Sequence, residues 1–160
     1  MKKKKIQKTN AMRQLENKNI DYTIHEYAWT EDNLDAGNAA RQVAVPFEKI
    51  YKTMVATGSQ SGEIAACIPA ASKLDLKKLA AVSGNKKVDM LNINDLEKTI
   101  GYMRGGCSPV GMKRRFPTYI AAAAESLDSI VVSAGKRGMQ MEVAPHELSH
   151  ITGGKYADIT

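Results

Sequence analysis

The chain has little of what would place it in a specialised structural class. Its 160 residues include 2 cysteines, 3 histidines, 1 tryptophan and 5 prolines. Two cysteines, Cys67 and Cys107, make no disulfide framework, so the expected compartment is a reducing cytoplasm. No apolar run approaches the ~18–20 residues that span a bilayer, and neither a transmembrane helix nor a membrane partner is expected. The basic head Met1-Lys2-Lys3-Lys4-Lys5 is followed by Gln7, Lys8, Asn10, Arg13 and Glu16. A secretory leader needs a continuous apolar stretch at that place, so none is expected. Repeats, linkers and low-complexity tracts are missing beyond those lysines, which predicts one domain over residues 1–160.

What is present is ordinary for a folded enzyme or binding module. Hydrophobic residues make up 43% of the chain, enough for a core, and charged residues 25%. The net charge of +6 favours polyanionic partners. Its lysines and arginines gather at Lys73, Lys77 and Lys78, at Lys86-Lys87, at Lys113-Arg114-Arg115 and at Lys136-Arg137. Such clusters can follow a phosphate backbone, although a lysine-rich surface also serves solubility alone.

Periodicity predicts alternating elements. Thr9 or Asn10 caps a first helix with Ala11, Met12 and Leu15 on one side. Residues 20–27 alternate as a strand, and a short helix with Ala36, Ala39, Ala40 and Val43 ends before Pro46. Residues 50–57 and 64–68 read as a hairpin around Gly58 to Gly62. A helix over 74–83 stops at Gly84, a strand covers 86–90, and a helix from Asn94 stops at Gly101. Strands follow at 118–122, 129–133 and 139–143, then a short helix opens at Pro145 and ends at Gly153. Hairpin-length connections mixed with helices predict an α/β fold: a mixed, barrel-like central sheet surrounded by helices.

Several segments carry possible chemistry. His146-Glu147-Leu148-Ser149-His150 matches the zinc pattern H-E-x-x-H. Pro145 and Gly153 confine that helix to about two turns, and the residues after His150 supply Asp158 but no histidine or glutamate. A structural helix burying Leu148 and Ile151 accounts for the segment more simply, and no metal or other cofactor is expected. Cys107, in Gly105-Gly106-Cys107-Ser108-Pro109, has no evident base, and Ser108 lacks a nucleophile-elbow setting. Lys52 shares a strand face with Ile50, Met54 and Ala56. Either it faces a functional site, or it is an edge-strand lysine whose stem packs while its head reaches water. Two glycine-rich segments, Gly101 to Gly111 and Ser133 to Gly138, allow backbone N–H groups to approach an anion.

Taken in order, Ile50-Tyr51-Lys52-Thr53, Leu74 to Ala80, Lys86-Lys87-Val88, Gly101-Tyr102, Gly105 to Gly111, Val132 to Gly138 and Ala157-Asp158-Ile159 resemble the YbaK/EbsC family. That family includes free-standing Cys-tRNA(Pro) deacylases and the editing domain inserted in bacterial prolyl-tRNA synthetases. The resemblance implies trans-editing hydrolysis of a mischarged aminoacyl ester, with thiolactone formation by the substrate's own thiol. It implies Lys52 as the essential residue. It implies Tyr27, Thr53, Gly105, Gly106, Ser108, Pro109, Ser133, Gly135 and Arg137 as substrate-binding neighbours. The implied partners are the acceptor end of an aminoacylated tRNA and prolyl-tRNA synthetase.

The chain departs from the family pattern at Gln140, where an aspartate follows the K-R-G turn, and in a shortened segment near 28–37, where Trp29 is the available aromatic. Both bear on which amino acid is removed. The alternatives are removal of another small amino acid, such as alanine from tRNA(Pro), and a non-catalytic RNA- or synthetase-binding module.

Overall fold

Local chemistry sets the ends of the helices. The computed structural model describes residues 7–32 and 42–160. Helix α1 (Asn10–Asn17) is capped by Thr9, whose hydroxyl accepts from Met12 N–H at 3.2 Å, and it buries Ala11, Met12 and Leu15. Helix α2 (Leu76–Ser83) starts where Asp75 accepts from the N–H groups of Lys77 and Lys78 and stops at Gly84, with φ of 72°. Helix α3 (Leu96–Ile100) ends at Gly101 with φ of 91°, and α4 (Pro145–Thr152) opens on proline and ends at Gly153. The expected helix through Ala36, Ala39 and Ala40 lies outside the described residues.

Among the described residues, eight strands follow the predicted segments, with one addition near the end of the chain. They are β1 (Thr23–Glu26), β2 (Tyr51–Gly58), β3 (Gly62–Pro69), β4 (Val88–Met90), β5 (Thr118–Ala121), β6 (Ile130–Lys136), β7 (Met139–Val143) and β8 (Lys155–Ala157). The predicted hairpin is present: Tyr51 faces Pro69 and Gly58 faces Gly62 across an antiparallel β2–β3 pair. One sheet has the order β4-β2-β3-β5-β8, and the other β1-β7-β6. β5 lies parallel to both β3 and β8. Residues Ile64 to Ile68 of β3 are buried in succession, as expected of a central strand covered on both faces.

The mixed α/β expectation holds, but the sheet is not a closed barrel. Two separate sheets share one core, and among the described residues the backbone bridge between them pairs Ile50 with Val131. That core collects Met12 and Leu15 from α1, Ile64 and Ile68 from β3, Val132 and Met141 from the smaller sheet, and Leu148 from α4. No described helix is long and apolar enough to cross a membrane.

Candidate active site

The amino end of β2 passes beside β6 and β7, and a pocket of about 280 Å³ opens there. Residues 51–55 of β2 form one wall, while Met90, Leu91, Ile93 and Leu96 form an apolar wall between β4 and α3. Arg104, Gly105 and Cys107 of the first glycine-rich segment, Ser133 of β6, Gln140 of β7 and Tyr27 beyond β1 complete it.

Lys52 is half-buried at this pocket. It pairs with Ile68 on β3, and its ammonium has no hydrogen-bond or ion-pair partner among the described residues. The sequence left open a pocket lysine or an edge lysine; β4 pairs with β2 only at Ala56 to Gly58, so Lys52 has β3 on one side, and it lines the pocket.

The two glycine-rich segments pack directly against each other. Gly135, with φ of 94°, sits in the irregularity between Ser133 and Lys136, and its N–H donates to Ser133 Oγ at 3.1 Å. A Cβ on Gly135 would stand 2.7 Å from the Tyr102 ring, and one on Gly106 would stand 3.1 Å from the Arg137 backbone nitrogen. Side chains are therefore excluded where the loops touch. Arg137 stacks its guanidinium over Trp29, 5.2 Å from the ring centroid.

The site residues expected from sequence divide into two groups. Tyr27, Lys52, Thr53, Gly105 and Ser133 line the pocket together. Gly106, Gly135 and Arg137 are not among the lining residues. Ser108 is fully buried, and its hydroxyl accepts from Val110 N–H at 3.2 Å, which closes the turn locally. Pro109 lines a different depression, shared with Gln14 and Lys18 of α1 and its C-terminal cap.

Sequence reasoning had no signal for Tyr51, Leu91, Leu96 or Arg104 as lining residues. They come from neighbouring segments of strand and loop that only the tertiary fold brings to one cavity.

Three buried polar atoms of pocket-lining residues lack protein hydrogen-bond partners among the described residues: the Tyr51 hydroxyl, the Thr53 hydroxyl and Gln140 Oε1. Tyr51 is 1% exposed and Gln140 4% exposed. Buried polar atoms are normally paired, so three at one pocket point to groups that a ligand completes. Thr53 faces Cys67 across the β2–β3 pair.

Neither thiol resembles an activated nucleophile. Burial pushes Cys67 up to about 12 and Cys107 up to about 11, which keeps both protonated near neutrality. Burial also raises the Tyr27 phenol above its ordinary value. The H-E-x-x-H histidines lie away from the pocket lining, and His146 is exposed with Glu147 at 3.5 Å. Among the described residues, no three histidine, cysteine or carboxylate side chains gather as a metal site.

Comparison with known proteins agrees with this architecture. The family model for the aminoacyl-tRNA editing domain matches residues 30–151. The chain is 52% identical over 159 residues to EbsC of Enterococcus faecalis, covering 99% of this chain and 97% of the relative. EbsC is provisionally named a Cys-tRNA(Pro)/Cys-tRNA(Cys) deacylase. Among solved structures, one described provisionally as a trans-editing enzyme for prolyl tRNA synthetase superposes with a TM-score of 0.81 at 21% identity, covering 94% of each chain. A hypothetical protein superposes with a TM-score of 0.85 at 20% identity, over 94% of this chain and 99% of that one. At such identities these structures speak for the fold. The family match and the relative's full-length identity go further: this chain belongs to the aminoacyl-tRNA editing domain family, in its YbaK/EbsC branch.

Proposed function

We propose that this chain, as one unit over residues 1–160, is a trans-editing deacylase that removes cysteine from wrongly charged tRNA(Pro). The observation that carries the reading is Lys52, an unpaired cation at a largely apolar pocket, in a chain of the aminoacyl-tRNA editing family. The name carried by EbsC, at 52% identity, supports cysteine as the amino acid.

The chemistry follows from what the pocket supplies and what it lacks. Attack on an ester carbonyl builds negative charge on its oxygen, and a fixed cation or N–H donor stabilises that charge most where water is sparse. Lys52 is suited to the role, with Gly105 and Ser133 shaping the wall where the ester sits. A nucleophile from the protein is not evident, because the thiol at the pocket is held protonated by burial. The substrate brings its own. Its cysteinyl sulfur attacks the ester carbon, the carbon–oxygen bond to the terminal ribose breaks, and the ribose oxygen leaves with the proton given up by the thiol. The products are free tRNA and a cyclic thiolactone, which water then opens to cysteine. Holding thiol and carbonyl together makes the step intramolecular, an effect that reaches several kcal/mol in favourable geometry.

A cytoplasmic setting goes with this reading, as does the acceptor end of tRNA as the macromolecular partner. The pocket admits little more than an aminoacyl end, so recognition of the tRNA body falls to a second protein, and prolyl-tRNA synthetase fits that need. The net charge of +6 suits phosphate contacts that weaken as salt rises.

The test is release of amino acid from Cys-tRNA(Pro) and Ala-tRNA(Pro), with the wild type and Lys52→Ala side by side. Rapid loss of cysteine, reduced ~100-fold or more in the variant, supports the reading. Turnover of alanyl-tRNA instead moves the specificity to a substrate that has no thiol and excludes the thiolactone route. If neither ester is lost faster than in buffer while tRNA still binds, the chain is a binding module.

A further inference from the structure

We propose that Gln140 reads the α-amino group of the aminoacyl ester and receives it as a neutral amine. The inference rests on the deacylase reading and adds a specificity-determining residue to it.

Gln140 lies between Met139 and Met141 on β7, both buried in the main core. Strand alternation therefore turns Gln140 to the opposite face, where its cross-strand partners are Ser133 on β6 and His25 on β1. Ser133 and Gln140 both line the pocket. Gln140 Oε1 is buried without a hydrogen-bond partner among the described residues, and the residue is 4% exposed. Leaving a buried carbonyl oxygen unpaired costs about 1–3 kcal/mol, and a substrate group seated there would recover part of it.

Charge decides which form of the amine fits. The ionisable side chains at the pocket are Lys52, Arg104, Tyr27, Tyr51 and Cys107, with no aspartate or glutamate among the described lining residues. His25, opposite Gln140, directs Nε2 to Glu142 at 2.9 Å, so that carboxylate is already engaged. An ammonium placed here would share the pocket with the half-buried Lys52 and with Arg104 at an exposed position of the lining, and would find no free carboxylate among the described lining residues. Nearby like charge disfavours the protonated form of an α-amino group, and the adjoining ester already makes that amine less basic than a chain terminus. A neutral amine has N–H donors for Oε1 and a lone pair for Nε2, and one carboxamide satisfies both.

The experiment is a cycle of two proteins and two esters. Wild type and Gln140→Leu are each assayed on Cys-tRNA(Pro) and on 3-mercaptopropionyl-tRNA(Pro), which keeps thiol and ester and lacks the amine. The leucine variant should lose roughly ten-fold in kcat/KM on the cysteinyl ester and almost nothing on the deamino ester. An equal loss on both esters overturns the proposal, because the amide would then act through something other than the amine. Gln140→Glu supplies a second arm. A carboxylate there accepts the ammonium form, so the acid limb of the kcat/KM profile should move to lower pH with the cysteinyl ester and stay fixed with the deamino ester. An unmoved limb with the cysteinyl ester counts against the proposal even if the leucine variant folds poorly. Should the wild type fail to deacylate Cys-tRNA(Pro), the deacylase reading and this inference fall together; activity with an additive cycle removes this inference alone.

Discussion

The Nε of Arg137 donates to the Arg104 carbonyl at 2.8 Å, tying the turn after Ser133 to the loop that carries Gly105. Both segments line or support the pocket, and they are more than thirty positions apart in sequence. The same guanidinium rests over Trp29.

Removing this tie should damage the site more than the fold. Arg137→Ala loses one hydrogen bond and one cation–π contact, together about 1–2 kcal/mol at a half-buried position. The melting temperature is expected to fall by a few degrees. Deacylation should fall more steeply, because Gly105 is no longer held against the turn. Thermal unfolding and kcat/KM, measured on the same preparation, separate the two effects; a fall in melting temperature with full activity would detach Arg137 from the site.

The glycine contacts give a sharper case. Gly135→Ala places a methyl 2.7 Å from the Tyr102 ring at φ of 94°, so both sterics and backbone strain oppose it. Gly106→Ala meets backbone atoms of Lys136 and Arg137 at 3.1 to 3.3 Å, and backbone yields less than a side-chain tip. Both variants should be destabilised, Gly135→Ala by about 1–3 kcal/mol, with denaturant midpoints as the measure. An unchanged midpoint for Gly135→Ala would show that the ring of Tyr102 moves aside freely.

Much of this was legible before the fold was known, and the parts that were not have physical reasons. Local signals marked the β2–β3 hairpin, the Thr9 cap and the glycine stops at Gly84, Gly101 and Gly153, because each depends on neighbours in the chain. The helix expected from Asn94 divides instead: a 3-10 turn at Ile93–Asp95, with Asn92 accepting from Asn94 N–H, precedes α3. The parallel pairing of β5 with β3 and β8 has no local signature, and β8 is only three residues long. Lys52 stood out as a charge on an apolar strand face. Ser108 entered as a site residue only through the family resemblance, and its hydroxyl is spent on its own turn, a hydrogen bond that spacing does not reveal. Two sheets rather than a closed barrel is likewise a matter of long-range pairing that composition leaves open.

Acid stability should depend on Glu142. Its carboxylate accepts from Ser129 Oγ and lies 2.9 Å from His25 Nε2, and these bonds, Ser129 first, hold its pKa below the ordinary 4.5. A carboxylate with a depressed folded value contributes stability that is present above the unfolded value and lost as pH falls through the folded one. The contribution is therefore complete above about pH 5 and is lost as pH falls through the depressed folded value. Glu142→Gln should lower stability at pH 7 and flatten the acid decline. The Lys49 contacts at Asp128 would leave a smaller dependence behind, since Asp128 is also held low. Denaturant unfolding from pH 3 to pH 7 reads the slope directly, and parallel slopes for variant and wild type would remove Glu142 from the account.

Cys107 separates the two ways a thiol could act in this reaction. The side chain lines the pocket, so proximity alone would allow an acyl-enzyme route. Its thiol is pushed by burial up to about 11, which keeps it protonated near neutrality, and no cationic partner among the described residues offsets the burial. Cys107→Ala should therefore deacylate Cys-tRNA(Pro) within a few-fold of the wild-type rate, and rapid quench should find no amino acid covalently held by either protein. The thiol that matters would be the substrate's, so seryl-tRNA(Pro), with oxygen in place of sulfur, should be edited far more slowly by both. Loss of activity in Cys107→Ala, together with a trapped thioester in the wild type, would transfer the nucleophile from the substrate to the protein.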